Sequence, residues 1–327
     1  MHQPKFSKRA LGLLTASLIA LSACPALAEY PERPIHLIVG AAAGDNSDIF
    51  ARLLADKMTK SLGQPVVVEN KPGAGGALSG SSVAGAAADG YTLLYGNMSS
   101  LVVAPQVMTA TYDATKAFTP IAKTQQGASI LVAHRDLPVS NATELVEYAK
   151  KNPDQVLAAV NALGSTAHLA MELIQVKSGA KFATIPYKGT SAATQAVVTG
   201  ESGITITGIL LAKPHIDSGD LKPIAIYGAS ASDHFPGVRT IADELSIPEL
   251  DQDFWFGVVG PAGLEPAVVE KLAASIHGAM QSPDLQEMVE KNGQRYVAST
   301  PAEMGQEIAK QWADFGTIIR ERGIKVE

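Results

Sequence analysis

The chain predicts a two-lobed α/β protein, and three observations carry that prediction. Short apolar runs alternate with helical stretches along nearly the whole length, the pattern of parallel sheets joined by crossover helices. At 327 residues the chain is long enough for two separate cores. After Asp251 the composition returns to that of the first region, as though the chain leaves one lobe, builds another and comes back. These features place one lobe at residues 29–130 plus 251–327 and the other at 131–250, each a mostly parallel sheet flanked by helices.

Residues 35–52, IHLIVGAAAGDNSDIFAR, read as a strand, a turn of small residues and an amphipathic helix. Such a turn lays backbone N–H groups and a helix N-terminus around a small anion with few side chains in the way. The helix runs from about Asp48 to Leu62, with Ile49, Phe50, Leu53, Leu54 and Met58 as its buried stripe. PVVVEN, a helix through Ser81 to Ala87, and YTLLYG follow. The middle of the chain repeats the alternation: ILVAH near Ile130, a helix from about Thr143 to Lys151, VLAAV, a helix after Ser165, ATIPY, a helix after Thr190, GITIT and LKPIAIYG. Asn141 and Glu144 have capping-box spacing. FWFGVVG and two long helices complete the pattern, the last opened by Thr300, Pro301 and Glu303 as N-cap, first-turn proline and capping-box glutamate.

A segment before the first strand stands outside this fold. Lys5, Lys8 and Arg9 precede an apolar run from Leu11 to Leu21, and Ala26 and Ala28 follow, the grammar of a secretory signal peptide over residues 1–28. Leu21, Ser22, Ala23 and Cys24 also resemble a lipoprotein processing box, but Pro25 directly after the cysteine favours a soluble periplasmic product. Cys24 is the only cysteine, so the folded body has no disulfide and no thiolate metal site. Loss of the leader takes the basic count from 26 to 23 against 32 acidic residues, a net charge of roughly −9. That balance argues against nucleic acid and against anionic membrane surfaces.

Four further turns fall at strand-to-helix ends: residues 69–76 (ENKPGAGG), 96–100 (GNMSS), 164–168 (GSTAH) and 186–191 (PYKGTS). Each alone reads as a structural cap, because Ser, Thr and Asn are preferred there for backbone reasons. Together they point to one crevice, since strand C-terminal ends converge there. Enzyme signatures are missing. There is no G-x-S-x-G elbow and no P-loop, Leu78 stands where a dinucleotide fingerprint needs its third glycine, and none of the seven histidines is paired as H-x-x-x-H. His168 and Glu172, four apart on one helix, read as a surface pair or cap contact rather than metal ligands. No cofactor is expected.

YPERPIHLIV, SDIFARLLADKM, LGQPVVVENKPGAGG, VAGAAADGYTLLYGN, YDATKAFTPIA, ELVEYAKKNP, STAHLAMELI, IPYKGTSAATQAVVTGE, PHIDSGDLKPIAI and FWFGVVGPAG together resemble the substrate-binding proteins of tripartite tricarboxylate transporters, also called Bug-type or TctC-type receptors. The resemblance implies a type II-like periplasmic binding protein fold. It also implies a monomer that closes on a small carboxylate, hands it to integral membrane permease subunits and does no chemistry of its own. Carried over residue by residue, it implies ligand contacts from Ala43, Gly44 and Asp48 in the first turn, Gly73, Ala74, Gly75 and Gly76 in the glycine loop and Asn97 in the next turn; Asp45 joins these candidates as a residue of this chain alone. Ser165, His168, Tyr187, Lys188 and Gly189 are the implied contacts of the second lobe. The chain departs from the family at Asp45, where a glycine is usual, and this puts a carboxylate beside the expected anion site. A periplasmic sensor for a membrane signalling partner is the alternative reading, and an enzyme on the same scaffold a third.

Overall fold

The computed structural model describes residues 30–108, 112–229 and 234–324; the expected signal peptide and Cys24 lie outside them. Eleven strands form two sheets. The first holds β1 (Ile35–Val39), β2 (Val66–Asn70), β3 (Thr92–Asn97), β4 (Phe118–Gly127), β10 (Phe254–Pro261) and β11 (Gln294–Tyr296), in the order β11-β4-β10-β3-β1-β2. The second holds β5 (Ser129–His134), β6 (Val156–Val160), β7 (Phe182–Pro186), β8 (Ile204–Thr207) and β9 (Leu221–Tyr227), in the order β7-β6-β8-β5-β9. Helices cover both: α1 (Asn46–Leu62), α2 (Ala77–Ala84), α3 (Ala142–Lys151), α4 (Thr166–Ser178), α5 (Thr190–Val198), α6 (Ile209–Asp217), α7 (Pro266–Met280), α8 (Pro283–Lys291) and α9 (Pro301–Arg322).

The sheets are mixed rather than mostly parallel. β1 runs parallel to β2 and β3, and β6 to β7 and β8, but β10 is antiparallel to β3 and β4, β11 to β4, and β5 to β8 and β9. The cause is the route of the chain. Apart from the short edge strand β11, which follows α8 and starts opposite Gly127, a strand that follows a crossover helix starts at the far edge of its sheet and runs toward the crevice, whereas β5 and β10 arrive from the other sheet and start at the crevice. They therefore run the opposite way.

The two passages between sheets lie side by side. Phe254, the first residue of β10, pairs with Gly127, the last of β4. Ser129, the first residue of β5, pairs with Tyr227, the last of β9. A side chain on Gly228 would bring its Cβ to 2.8 Å from that of Ala128, so the second passage needs glycine.

On α1 the buried stripe is Phe50, Ala51, Leu54, Ala55, Met58 and Leu62, together with Asp48, while Ile49 is half exposed. The helix is turned about its axis relative to the expected stripe because Asp48, not Ile49, points inward, for a reason given below. α2 starts four residues earlier than expected, at Ala77, since Gly76 (φ 95°) ends the glycine loop and turns the chain into it. The expected capping box of α9 is present: Thr300 Oγ1 accepts from the Glu303 N–H at 3.2 Å and the Glu303 carboxylate from the Thr300 N–H at 2.8 Å. At α3 the box is offset, Asn141 accepting from the Glu144 N–H while the Glu144 carboxylate accepts from Ser140.

β4 was not apparent in the sequence, because Pro120, Lys123, Gln125 and Gln126 interrupt its apolar residues. Its register shifts twice against β10. Lys123 is buried there, donating to Gln126 Oε1 at 2.6 Å and to the Glu307 carboxylate on α9. Trp255, fully buried, ties β10 to the same helix by donating its indole N–H to Gln311 at 2.8 Å. Glu307→Ala leaves the Lys123 ammonium buried without its counter-charge and is expected to destabilise the protein by about 2–3 kcal/mol, less than for a fully buried pair because Glu307 is partly exposed. Lys123→Met, which removes the charge and keeps the stem, is expected to cost less. Urea unfolding of both variants gives the ranking, and the reverse order would remove Lys123–Glu307 from the interactions that hold α9 to the sheet.

Candidate functional site

The crevice is built from strand ends. β1 stops at Val39 and the chain turns through residues 40–45, where Gly40 has no room for a side chain: its Cβ would lie 2.7 Å from Ser79 Oγ. The turn is held from behind by Asp48. One oxygen of its carboxylate accepts from the Gly44 N–H at 2.8 Å and Arg52 Nε at 3.0 Å; the other accepts from Asn70 Nδ2 at 2.8 Å and lies 2.9 Å from Arg52 Nη2 in an ion pair. Asn70 Nδ2 also donates to the Ala41 carbonyl at 3.0 Å, joining the turn to the end of β2. Burial alone would raise the Asp48 pKa, but the bonds from Arg52, Gly44 and Asn70 outweigh it and hold the carboxyl below its usual range. With both oxygens engaged and 2% of its surface exposed, Asp48 positions the turn and lies off the crevice wall.

The glycine loop follows β2. Gly76 has φ 95°, and a Cβ there would sit 2.7 Å from that of Ser100, so the loop and the turn after β3 are in backbone contact. Ser99 Oγ donates to the Gly75 carbonyl at 3.0 Å, and Asn97 Oδ1 accepts from the Ser100 N–H at 3.0 Å. Across the crevice, Ser165 caps α4 by accepting from the His168 N–H at 3.2 Å, and His168 Nδ1 accepts from the Gly164 N–H at 3.2 Å. Both side chains are buried in that reciprocal cap, and burial lowers the His168 pKa. α5 is treated differently. Its N-cap is Gly189 (φ 102°), with no side-chain cap, and the N–H groups of Thr190, Ser191 and Ala192 have no acceptor among the described residues.

These turns enclose a cavity of about 530 Å³. Of the residues expected to meet a ligand, Asp45, Gly73, Gly75, Gly76 and Asn97 line it from one side, and Tyr187, Lys188 and Gly189 from the other. Ala43 and Gly44 are exposed on the outer side of the first turn, and Ala74, Asp48, Ser165 and His168 are also off the lining. The last three are off it because their polar atoms serve the backbone. Residues missed in the sequence are Tyr95, Phe254 and Phe256 on the floor and Asn161 and Thr166 on the second wall. Tyr95 stacks on Phe256 with ring centroids 5.6 Å apart. The available signal was Phe254 and Phe256 two apart on one strand, a spacing that puts both rings on one face.

Asp45 and Lys188 are the charged side chains on the lining. Asp45 Oδ1 accepts from the Asn46 N–H at 2.7 Å, and Oδ2 lies 3.1 Å from where a Cβ on Gly189 would be, facing the opposite wall. Burial, reinforced by the Asp48 charge and opposed by the Asn46 bond, raises the Asp45 pKa. Backbone donors without an acceptor among the described residues come from both walls: the N–H groups of Ala41, Ala42 and Gly75 on one and of Thr166 and Thr190 on the other. Among the described residues no helix is long and apolar enough to cross a membrane, and no group of three or more His, Cys, Asp or Glu is placed to hold a metal.

The lowered pKa of buried His168 means the unfolded chain binds a proton more readily than the folded one. Its contribution to stability is complete above the ordinary histidine value of about 6.5 and declines as pH falls below it. Denaturant midpoints should therefore fall between about pH 7.5 and about pH 5.5, and His168→Gln, which keeps an acceptor for Gly164, should flatten that slope. An unchanged slope in the variant would show that His168 is not the group that titrates.

Comparisons with known proteins agree with this geometry. BugT of Bordetella pertussis is 37% identical over 300 residues, covering 91% of this chain and 92% of that protein. The solved structure of the periplasmic binding protein BugD superposes with a TM-score of 0.82 at 29% identity, covering 91% of this chain and all of that one. MatC from Rhodopseudomonas palustris with bound malate gives 0.82 at 28% identity over 89% of this chain and all of that one. An R. palustris protein with adipate gives 0.80 at 27% identity over 91% of this chain and 99% of that one. Residues 50–324 match the family described as the tripartite tricarboxylate transporter family receptor, and the chain belongs to that family of solute-binding proteins.

Proposed function

We propose that the protein is a periplasmic receptor that captures a small carboxylate between its lobes and delivers it, as a monomer, to the membrane permease subunits of a tripartite carboxylate transporter. The observation that carries the reading is the set of unmatched backbone donors on both walls of the cavity. An amide left without an acceptor loses about 1–3 kcal/mol once water is excluded, so the closed form calls for a ligand with acceptor oxygens. A carboxylate supplies them, and the helix N-terminus at α5 favours its charge. Lys188 adds a cation at the rim. Relatives that hold malate and adipate support the same ligand class.

The lobes of the proposal are residues 29–130 with 251–327, and 131–250, hinged where the two passages run side by side. Paired passages permit rotation of one sheet against the other with few backbone changes.

A thermal-shift panel of mono- and dicarboxylates tests the reading. A true ligand at 100 times its dissociation constant adds about 2.7 kcal/mol of stability, and no shift across the panel would remove the carboxylate class. Small-angle scattering with that ligand should show compaction; an unchanged radius at saturation would rule out hinge closure. Thr190→Pro deletes an unmatched N–H at the first position of α5, where proline fits a helix. It should weaken binding roughly tenfold with little loss of stability, while Thr190→Ala, which keeps the N–H, should bind nearly as the parent does. Equal effects of the two would show that the hydroxyl, not the amide, meets the ligand.

A further inference from the structure

The Asp45 carboxylate is the feature of the cavity that a simple dicarboxylate does not explain. It is half-buried on the first wall, with Oδ1 engaged by the Asn46 N–H and Oδ2 facing the second wall without a hydrogen-bond partner among the described residues. The charged lining consists of this anion and Lys188. A dianionic ligand would thus bring two negative charges into a space that holds one already and a single cation at its edge. Like charges juxtaposed in a partly desolvated site cost several kcal/mol by the general scale for interfaces. Burial already disfavours the charged form of Asp45, and an added anion would push further in that direction.

The cavity also has an apolar side. Tyr95, Phe254 and Phe256 form its floor, and Tyr187 lines the second wall with its hydroxyl turned away to Glu201 at 2.9 Å. Backbone donors for one carboxylate, those of Thr166 and Thr190 across from the unpartnered Asp45 oxygen, that anion itself and the aromatic floor describe three parts of one ligand.

Resting on the carboxylate-receptor reading, we propose that the ligand is an amino carboxylate, its carboxylate held by the unmatched backbone N–H groups, its protonated nitrogen by Asp45 Oδ2, and its apolar body by the aromatic floor. Asp45 is then the residue that selects such ligands over plain carboxylic acids. The ammonium supplies donors to the lining carboxylate oxygen that lacks them and leaves ligand and lining close to charge balance.

Calorimetry on the mature protein with matched pairs tests this: phenylalanine and 3-phenylpropanoate, leucine and 4-methylpentanoate, glutamate and glutarate, aspartate and succinate. In at least one pair the amino member should bind roughly tenfold to hundredfold more tightly, the scale of a hydrogen bond between charged groups. Asp45→Asn keeps Oδ1 as the acceptor for Asn46, so the helix cap survives, and its melting temperature verifies this. The variant should lose that preference, by weaker binding of the amino member together with equal or tighter binding of its partner. Deamino members that bind as well as or better than the amino members throughout would overturn the proposal and leave the carboxylate reading standing. So would a variant that weakens both members of a pair equally, which would make Asp45 a contact between the walls. Binding of no carboxylate at all would overturn the receptor reading and this inference with it.

Discussion

The buried carboxylate of Asp48 is the point on which the first wall of the crevice depends. A charge this deep in an apolar helix face is tolerable only when its oxygens are fully engaged, and here Arg52, Asn70 and the Gly44 N–H engage them. Because Asn70 is the last residue of β2 and Arg52 lies one turn beyond Asp48 on α1, this cluster fixes strand, turn and helix relative to one another. It also sets the rotation of α1, turning Asp48 inward and Ile49 out. The consequence for binding is indirect. With Gly44 drawn back onto Asp48, the turn keeps the N–H groups of Ala41 and Ala42 on the crevice side without an acceptor among the described residues.

The second wall solves the same problem with a division of labour. At α4, Ser165 accepts from the His168 N–H and His168 from that of Gly164, an arrangement that leaves the histidine no free acceptor at Nδ1 while the Thr166 N–H has no acceptor among the described residues. At α5 there is no such device; Gly189 takes the cap position because its φ of 102° is one that residues with a side chain rarely adopt, and the Asp45 carboxylate stands 3.1 Å from where a Cβ would be. One helix end therefore spends its cap side chains on the loop and keeps the Thr166 N–H for the cavity, while the other has no side-chain cap and leaves its first-turn N–H groups unmatched. The open end faces the one lining carboxylate, so the opposite walls present donors and an acceptor within reach of a single small molecule.

Most strands were legible in the sequence because burial on both faces makes them short continuous apolar runs, as VLAAV is in β6. β4 was not, since its buried lysine is neutralised by Glu307, a residue 184 positions away, and no local pattern records that pairing. Sheet polarity was misread for a related reason: β5 and β10 look like their neighbours, and only the route between lobes reverses them. The crevice turns were all visible as small-residue interruptions, yet their polar residues fell into two groups that sequence does not separate. Asp48, Ser165 and His168 spend their atoms on backbone and neighbours, whereas Asp45, Asn97 and Lys188 reach the lining. A cap and a ligand contact use the same residue types for the same physical reason, which is that both satisfy the orphan groups of a helix end.

That equivalence explains why selectivity can change here without disturbing the fold. The groups that hold the turns are buried, and the charged groups that face the cavity are few, one cation and one anion among backbone amides, aromatic rings and neutral side chains such as Asn97 and Asn161. Backbone amides are common to any residue, so they bind the part shared by all carboxylates. Discrimination must come from side chains that alter the field in the cavity, and Asp45 is placed to do so because its cap function uses only Oδ1. A residue with one oxygen committed to the scaffold and the other to the crevice changes the ligand a site accepts while leaving the helix that carries it intact.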